Sequence, residues 1–433
     1  MHIMNYILCI KLYFNWGICM KLVKKLMAGI PFTTYSKKVD YTARNVIAIN
    51  KVKQIPIIIL FRKSVDNIIE TRLKRMGMKI KYTLPFINGV CGVIHISKFG
   101  NLCGILEIEK IFYDSKAYLM GSHNSSRPEE DLLQAINTKR SYLNGKGVTV
   151  AFIDSGVYPH PDLIRPRNRI VEFKDFISNY AFPYDDNGHG TACIGAGFGT
   201  SIDGKFRAAA YETNIVCAKA FDKFGSGFYS DILAAMQWIV DFKEKLNIRI
   251  AVLPFGTANF SKDFDILSIA SEKLWKSNLF VCTCTGNLGP YDSSITSPGV
   301  SPFSYTSAAC STLELPPRAA CFSGKGPVYN KCDKPDVIMP GVDIETLSSE
   351  TTYIPKDKSM SKVNKLTVQY TNYSGTSIAA SFTAAAAALV YQKLGNLSPD
   401  DIKSVLKTCA VSINEVRNVQ GFGIINIKKL EEI

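Results

Sequence analysis

The sequence has no cysteine pattern that would cross-link a fold or bind zinc. It contains 12 Cys in 433 residues, far below the density of a disulfide scaffold. No two cysteines have C-x-x-C spacing, and no Cys and His residues have the spacing of a zinc site. Cys282 and Cys284 lie in an apolar stretch and are predicted to be buried free thiols. This usage favours a reducing compartment, the cytoplasm, over secretion.

The sequence also lacks a hydrophobic run at its start that could cross a membrane. The stretch MHIMNYILCIKLYFNWGICMK is apolar, but it is interrupted by Lys11 and is too short to span a bilayer. It has neither the basic start nor the cleavage site of a secretory signal peptide. We therefore predict no stable membrane span and leave residues 1–50 without an assigned structure.

A positive field is missing from most of the chain, although the net charge is +14. Residues 1–120 contain 19 of the 51 Lys and Arg but only 6 of the 37 Asp and Glu, which gives them +13 and leaves +1 for the remainder. A groove that binds nucleic acid needs positive charge of its own to neutralise phosphates. The charge distribution therefore predicts no nucleic-acid partner.

Residues 51–120 are predicted to form a small α+β domain. IPIIILF (55–61) has the pattern of a strand, an amphipathic helix follows it, and KIKYTL (79–84) and CGVIHI (91–96) have the pattern of two further strands. A second short helix and a strand ending near Tyr118 complete a βαββαβ pattern, which is ferredoxin-like.

Residues 121–433 are predicted to form a larger α/β domain. Continuous apolar strands such as VTVAFID (148–154) and NIVCAKAF (214–221) alternate with helical stretches such as SDILAAMQWIVDFKEKL (230–246). Strands that are apolar throughout are buried on both faces, as in a parallel sheet covered by helices. The pattern predicts a doubly wound, mostly parallel sheet.

Four polar residues stand at strand ends or helix starts, where such sheets carry their reactive groups. Asp154 ends a buried strand, and His189 lies between two glycines in DDNGHGT. Ser377 lies in YSGTSIAAS, at the start of an alanine-rich helix, and Asn287 follows another strand. Taken singly, the Asp and Ser are typical of helix caps and the His of a buried core residue. Asp, His and Ser in this order, however, follow one of the chain orders of the serine triad, and an Asn side chain is a suitable oxyanion donor.

Four motifs together resemble those of the subtilisin-like serine proteases: VAFIDSGV, DDNGHGT, TCTGNLG and YSGTSIAAS. The resemblance extends over about residues 124–428. It implies that Ser377 is the nucleophile, His189 the general acid and base, and Asp154 the residue that orients His189. It also implies that Asn287 and the Ser377 backbone N–H form the oxyanion hole, and that the substrates are polypeptides.

The small N-terminal domain resembles the inhibitory prosegment of the same family, an intramolecular chaperone whose tail lies in the active site. The resemblance implies self-cleavage in or near Tyr118–Arg127, with the apolar Leu119 and Met120 as candidates for the residue before the cut. The chain is thus predicted to have three parts: an unassigned segment (1–50), a prosegment (51–120) and a peptidase domain (121–433).

The resemblance also assigns a substrate groove. Pro254, Phe255 and Gly256 stand where the family has the start of its groove-lining Ser-Leu-Gly-Gly stretch, and Gly286 and Leu288 flank the oxyanion Asn. Because Leu288 offers no counter-charge to Lys or Arg, we predict an apolar or aromatic residue before the cleaved bond (P1). Ser297-Pro298, at the other wall of this pocket, is a candidate cis bond. Calcium is common in the family, but we assign no carboxylate cluster or other metal site in this sequence. We therefore predict no cofactor.

The chain departs from the family pattern in the groove stretch, which reads Pro254-Phe255-Gly256-Thr257, and at three further positions. Ala192 replaces a histidine, Ile378 a methionine and Ser381 a proline. None of them belongs to the predicted triad. Together they leave a second hypothesis open, in which the chain is a catalytically weak relative that acts as a binding or regulatory protein.

Overall fold

The computed structural model divides the chain into two compact units, Met1–Asp114 and Ser115–Ile433. The residues that it describes are 38–49, 52–124, 142–201, 207–257, 265–312, 316–329, 332–356, 366 and 368–433. Most of the segment that was left unassigned, and residues 125–127 of the predicted cleavage region, lie outside the described residues.

The boundary between the units lies six residues before the predicted one at 120/121. Lys116–Leu119 is a strand that pairs on one side with Ser226–Phe228 and on the other with Phe255–Thr257. Because these backbone hydrogen bonds tie it to the second unit, the predicted end of the prosegment lies within that unit.

The first unit is a four-stranded antiparallel sheet with three helices. Its elements are α1 (Tyr41–Ile49), β1 (Gln54–Phe61), α2 (Asn67–Arg75), β2 (Lys79–Leu84), a 3₁₀ turn (Pro85–Ile87), β3 (Gly89–His95), α3 (Ile96–Cys103) and β4 (Ile108–Tyr113). The strand order is β2-β3-β1-β4, with antiparallel neighbours throughout. The order from β1 to β4 confirms the predicted βαββαβ pattern, and α1 is an addition to it.

The core of the first unit follows the apolar pattern of its sequence. Five consecutive residues of β1, from Ile57 to Phe61, are buried, as its continuous apolar run predicts. Asp66 caps the helix α2, because its carboxylate accepts the N–H of Ile69 at 2.8 Å. The helix places Leu73 in the core of this unit.

The second unit contains most of the strands and helices. Its strands are β5 (Lys116–Leu119), β6 (Ser122–Asn124), β7 (Thr149–Asp154), β8 (Ile170–Asp175), β9 (Asn214–Lys219), β10 (Ser226–Phe228), β11 (Ile248–Leu253), β12 (Phe255–Thr257), β13 (Phe280–Cys284), β14 (Tyr305–Ser311), β15 (Arg318–Ala319), β16 (Val337–Pro340), β17 (Ile344–Leu347), β18 (Tyr370–Ser374), β19 (Ala410–Val411) and β20 (Ile424–Ile425). Its helices are α4 (Pro161–Ile164), α5 (His189–Phe198), α6 (Tyr229–Phe242), α7 (Ile266–Lys276), α8 (Thr376–Leu394), α9 (Pro399–Cys409), α10 (Arg417–Gln420) and α11 (Ile427–Glu432).

The central sheet of this unit is the predicted, mostly parallel sheet. Its strand order is β15-β14-β13-β11-β7-β9-β8, with β16 also paired to β14. Every pair is parallel except β14 with β15. All six residues of β7 are buried, because helices cover both faces of such a sheet. The unit therefore has the α/β architecture that the sequence predicted.

The alanine-rich helix α8 runs through the core. Sixteen of its 19 residues, Thr376–Tyr391, are buried. A Cβ on Gly197 of α5 would lie 2.8 Å from the Ser381 carbonyl oxygen and 3.3 Å from the Ala385 Cβ. The small side chains thus let α5 and α8 approach each other closely, which brings their N-termini to the same edge of the sheet. Among the described residues, no helix is long and apolar enough to span a bilayer.

Two small sheets contain the first two strands of the second unit. In the first, β5 lies between β10 and β12; in the second, β6 extends the antiparallel pair of β17 and β18. The strands β5 and β6 are separated by Met120 and Gly121 alone. The chain is therefore held as an extended strand on both sides of these two residues.

Candidate active site

The three predicted triad residues meet at one edge of the central sheet. Asp154 is the last residue of β7. His189 is the first residue of α5 and follows Gly188, whose φ of 96° favours glycine. Ser377 is the second residue of α8. A strand end and two helix starts therefore present the three side chains, as expected for a reactive site in an α/β sheet.

The three side chains form one line of hydrogen bonds. The Nδ1 of His189 lies 2.8 Å from the Asp154 Oδ1, and its Nε2 lies 3.0 Å from the Ser377 Oγ. All three residues are at most 1% exposed. A carboxylate can only accept at Nδ1, so that nitrogen carries a proton and Nε2 faces the serine.

Close backbone approach keeps Asp154 and His189 together. A Cβ on Gly190 would lie 2.1 Å from the Gly156 carbonyl oxygen and 3.2 Å from the Asp154 Cβ. The N–H of Ser155 also donates to the Asp154 Oδ1 at 2.7 Å. The glycines around His189 are therefore needed so that the first turn of α5 can pack against the end of β7.

Asp185 supports this junction, and sequence reasoning missed it. Its Oδ1 accepts the hydroxyl of Ser155 and the N–H of Gly188, both at 2.8 Å. Its Oδ2 accepts the N–H of Thr191 at 2.8 Å and the hydroxyl at 2.7 Å. The two Asp residues before Asn187 in DDNGHGT were a signal, because a carboxylate near a helix start is a natural acceptor for its free N–H groups.

The surroundings of His189 favour its charged form. Burial by itself lowers its pKa, but the negative charge of Asp154 and the hydrogen bonds to Asp154 and Cys193 raise it well above its usual value of 6.5. The Cys193 Sγ, one helical turn on, lies 3.7 Å from Nδ1 and 3.8 Å from Nε2. Because burial raises the pKa of this thiol, we attribute the shift of His189 to Asp154.

Tyr373 is a second neighbour of His189 that sequence reasoning missed. The two rings meet edge to face, with centroids 5.8 Å apart and an interplanar angle of 77°. Tyr373 belongs to β18, four residues before Ser377. Its position next to the triad depends on the pairing of β18 with β17 and β6, which no local pattern of the sequence indicates.

The predicted oxyanion donor, Asn287, is held in one orientation. Its Oδ1 accepts the N–H of Thr376 at 3.1 Å and the hydroxyl at 2.9 Å. That hydroxyl also accepts the N–H of Gly286 at 3.1 Å. Because the oxygen of the amide is used in this way, its NH₂ group is the end that remains for an oxyanion. Thr376, which the sequence analysis did not select, is thus a positioning residue for Asn287.

The cleft next to Ser377 holds a segment of the chain itself. The strand β12 pairs with β5 in the register Phe255 to Leu119 and Gly256 to Tyr118, so two of the predicted groove residues contact an extended peptide through their backbone. The Ser377 Oγ lies 2.6 Å from the Met120 carbonyl oxygen. The structure therefore places the Met120–Gly121 peptide bond at the serine.

The residues predicted to line the groove have different roles in the structure. Phe255 turns its ring onto Phe221, with centroids 5.0 Å apart, so only its backbone faces the peptide. Pro254 is buried next to it. Leu288 is 38% exposed. Among the described residues, it makes no hydrogen bond or ring contact with the peptide in the cleft. Its place in the pocket wall stays a prediction.

The side chain of Met120 lies in an apolar pocket. It packs with Cys284 and Ala380. A Cβ on Gly256 would come within 2.6 Å of the Met120 Cε, and a Cβ on Gly286 within 2.6 Å of the Thr296 Oγ1. The two glycines therefore keep this pocket open. The peptide bond Ser297–Pro298 is cis, as predicted.

Among the described residues, one group of side chains could hold a metal ion. The donor atoms of Asp154, His189 and Cys193 lie within 4.8 Å of one another. These atoms already form the hydrogen bonds of the triad, and the histidine nitrogens face Asp154 and Ser377. We therefore assign no metal to them.

The fold and the site together define a serine hydrolase. A buried Asp–His–Ser line at the carboxyl edge of a parallel sheet, with a fixed amide donor beside the serine, is the arrangement that acyl transfer requires. Residues 145–423 match the subtilase family. The chain belongs to this family, whose members are serine endopeptidases.

Two relatives agree with this assignment. Serine protease AprX of Bacillus subtilis is 39% identical over 298 residues, which are 66% of this chain and 66% of AprX. Subtilisin DY of Bacillus licheniformis is 26% identical over 300 residues, 69% of this chain and 95% of that protein.

A structural comparison leads to the same fold. The crystal structure of fervidolysin from Fervidobacterium pennivorans, a keratinolytic enzyme related to subtilisin, matches with a TM-score of 0.67 and 17% sequence identity. The match covers 88% of this chain and 61% of the fervidolysin chain. At this identity the comparison establishes the fold alone.

The contact between Thr376 and Asn287 gives a first prediction. Thr376→Val keeps the backbone N–H bond but removes the hydroxyl that fixes the amide. We expect kcat for peptide hydrolysis to fall about tenfold with little change in KM, since an oxyanion contact forms only in the transition state. Asn287→Ala should cost about a hundredfold or more, as removal of one such donor does in subtilisin. If Thr376→Val raises KM as much as it lowers kcat, the assigned role is contradicted.

Proposed function

We propose that this chain is an active serine endopeptidase, made as a zymogen that cuts itself between Met120 and Gly121. It hydrolyses peptide bonds through an acyl-enzyme on Ser377. One observation carries the proposal: the Ser377 Oγ lies 2.6 Å from the Met120 carbonyl oxygen. The strands β5 and β6 hold the peptide on either side of that carbonyl.

The first half of the reaction follows from this geometry. The Ser377 Oγ attacks the Met120 carbonyl carbon while His189 takes the hydroxyl proton at Nε2, and Asp154 stabilises the imidazolium. The oxyanion that forms on the Met120 oxygen is stabilised by the Asn287 amide and by the N-terminus of α8. His189 then gives its proton to the Gly121 nitrogen, the C–N bond breaks, and Met120 remains as an ester on Ser377.

The second half releases the ester. A water molecule gives its proton to His189 and attacks the ester carbonyl, and His189 returns the proton to the Ser377 oxygen. The products are a carboxylate at Met120 and an amine at Gly121. Only side chains and water take part, so the proposal includes no cofactor.

The same contacts explain how the N-terminal segment would inhibit the enzyme. After the cut, Lys116–Met120 can still pair with β10 and β12, where the backbone of a polypeptide substrate would otherwise bind. Residues 1–120 also hold +13 of the net charge. We propose that they act as an inhibitory prosegment until they leave.

The departures from the family pattern are accommodated in the core. Ala192, Ile378 and Ser381 are fully buried, and the hydroxyl of Ser381 donates to the Cys193 carbonyl oxygen of α5. The triad hydrogen bonds form with these residues in place. This arrangement favours the active enzyme over a catalytically weak relative.

Two broader expectations belong to the proposal. The substrates are polypeptides bound as extended strands, as in the family. All ten described cysteines are free, which supports a reducing compartment such as the cytoplasm. That compartment stays a prediction.

Self-processing is tested by the serine itself. The wild-type chain should lose residues 1–120, with Gly121 as the new N-terminus, whereas Ser377→Ala should stay full length because the nucleophile is gone. Intact mass and N-terminal sequencing after expression check this. Ser381→Ala, which removes another buried hydroxyl of α8, serves as the control and should process. If wild type and Ser377→Ala both remain full length, or both shorten equally, self-processing is wrong.

The apolar pocket around Met120 predicts the preference before the cleaved bond. Met120→Leu should process within about threefold of the wild-type rate, since it conserves apolar volume. Met120→Lys should process at least about tenfold more slowly, because a charge would be buried beside Cys284 without a partner. The rate of loss of the full-length band measures both. Equal rates for the two variants would overturn the apolar preference.

The raised pKa of His189 predicts the pH dependence. Processing needs the neutral imidazole, so its rate should rise with pH to a midpoint above 6.5, the usual value of this pKa. A chain purified near pH 5 and transferred to buffers up to about pH 9 would show this rise. A rate that is flat or falls across this range would contradict it.

A further inference from the structure

The residue after the cleaved bond, Gly121, lies in a position without room for a side chain. An ideal Cβ built on it would lie 2.5 Å from the Tyr373 Cε1, 3.1 Å from the Tyr373 Cδ1 and 3.3 Å from the His189 Cδ2. Real Cβ atoms essentially never come within 3.0 Å of a heavy atom to which they are not bonded. A residue larger than glycine would therefore have to displace the Tyr373 ring or move the peptide away from Ser377.

The backbone of Gly121 does not by itself require glycine. It is not among the glycines with positive φ, so its conformation is open to L-residues with a side chain. The restriction comes from the space occupied by the Tyr373 ring.

The Tyr373 ring is not free to move aside. It is 4% exposed, and its edge-to-face contact with His189 means that a shift in that direction would disturb the general base. The backbone is fixed as well, because β18 pairs with β17 and with β6 in the register Tyr373 to Ile344 and Tyr373 to His123.

Neighbouring positions of the bound peptide are less restricted. Ser122, one residue further on, is exposed, and Tyr118, two residues before Met120, is 42% exposed. On the other side of the bond, the Met120 side chain has its own pocket. Of these positions, the residue that follows the cut is the one without room for a side chain.

We propose that Tyr373 makes the subsite for this residue a glycine filter, so that the peptidase cuts polypeptides at apolar–glycine bonds. The inference rests on the proposed function, because it takes the Met120–Gly121 segment as a bound substrate. It adds to that function a specificity residue, Tyr373, and a substrate class, extended segments with glycine directly after an apolar residue.

The first test changes both sides of the contact. Gly121→Val should slow self-processing about a hundredfold, and Gly121→Ala about tenfold, in line with the cost of overfilling a packed site. In the Tyr373→Ala background, the same Gly121→Val change should cost less than about threefold, because the ring that it meets is gone. Each double variant is compared with Tyr373→Ala alone, since this change also removes a contact of His189.

Ser122→Val is the matched control. It introduces the same β-branched side chain one position further on, where the side chain faces solvent, and should process within about threefold of wild type. The rates are measured on full-length chains by appearance of the product that begins at residue 121.

The second test does not depend on the folding of any Gly121 variant. Mature wild-type enzyme is given quenched fluorescent peptides with the sequence of residues 115–124 and Gly, Ala or Val at position 121. Relative to the Gly peptide, kcat/KM should fall about tenfold for the Ala peptide and about a hundredfold for the Val peptide. With Tyr373→Ala enzyme, the three peptides should differ in kcat/KM by no more than about threefold.

The outcomes separate the two proposals. If wild type processes itself but Gly121→Val processes equally fast, or the peptide series is flat, the glycine filter is wrong and self-processing stands. If Gly121→Val remains as slow in the Tyr373→Ala background, glycine is needed for another reason and Tyr373 is not the filter. If wild type does not process at all, the proposed function itself fails.

Discussion

The close packing of α5 against α8 is the constraint on which the site depends. Both helices begin at the carboxyl edge of the central sheet, and their first residues include His189 and Ser377. These side chains can share a hydrogen bond only if the helix axes approach closely, and Gly197 against Ser381 permits that approach. The alanines of α8 serve the same end, since a helix buried on every side packs tightly when its side chains are small. Catalytic geometry is thus a consequence of how the core is filled.

Backbone pairing explains how one cleft can accept a long segment of chain. The strands β5 and β6 bind through main-chain hydrogen bonds to β12, β10 and β18, and such bonds do not distinguish side chains. Selectivity must then come from the few positions where a side chain enters a pocket or meets a wall. Met120 enters a pocket and Gly121 meets a wall, so both residues of the peptide bond at Ser377 are restricted.

Particular residues show how far sequence reasoning reached. It located Asp154, His189, Ser377 and Asn287, because each lies in a short motif with a local reason to stand at a strand end or helix start. It also predicted the βαββαβ unit and the parallel sheet from apolar patterns. It divided the chain after residue 120, although backbone pairing of Lys116–Leu119 moves the division to residue 114.

The sequence by itself determined the class of fold, the family and the candidates for the reactive residues, because these depend on periodicity and on motifs of a few residues. Only the tertiary structure decided which peptide bond lies at Ser377 and which side chains surround it. Thr376 beside Asn287, Asp185 against Ser155 and Tyr373 against Gly121 are contacts between segments far apart in the chain. Such contacts depend on how helices and strands pack. Differences of a few tenths of an ångström in packing distance leave no pattern in the order of residues.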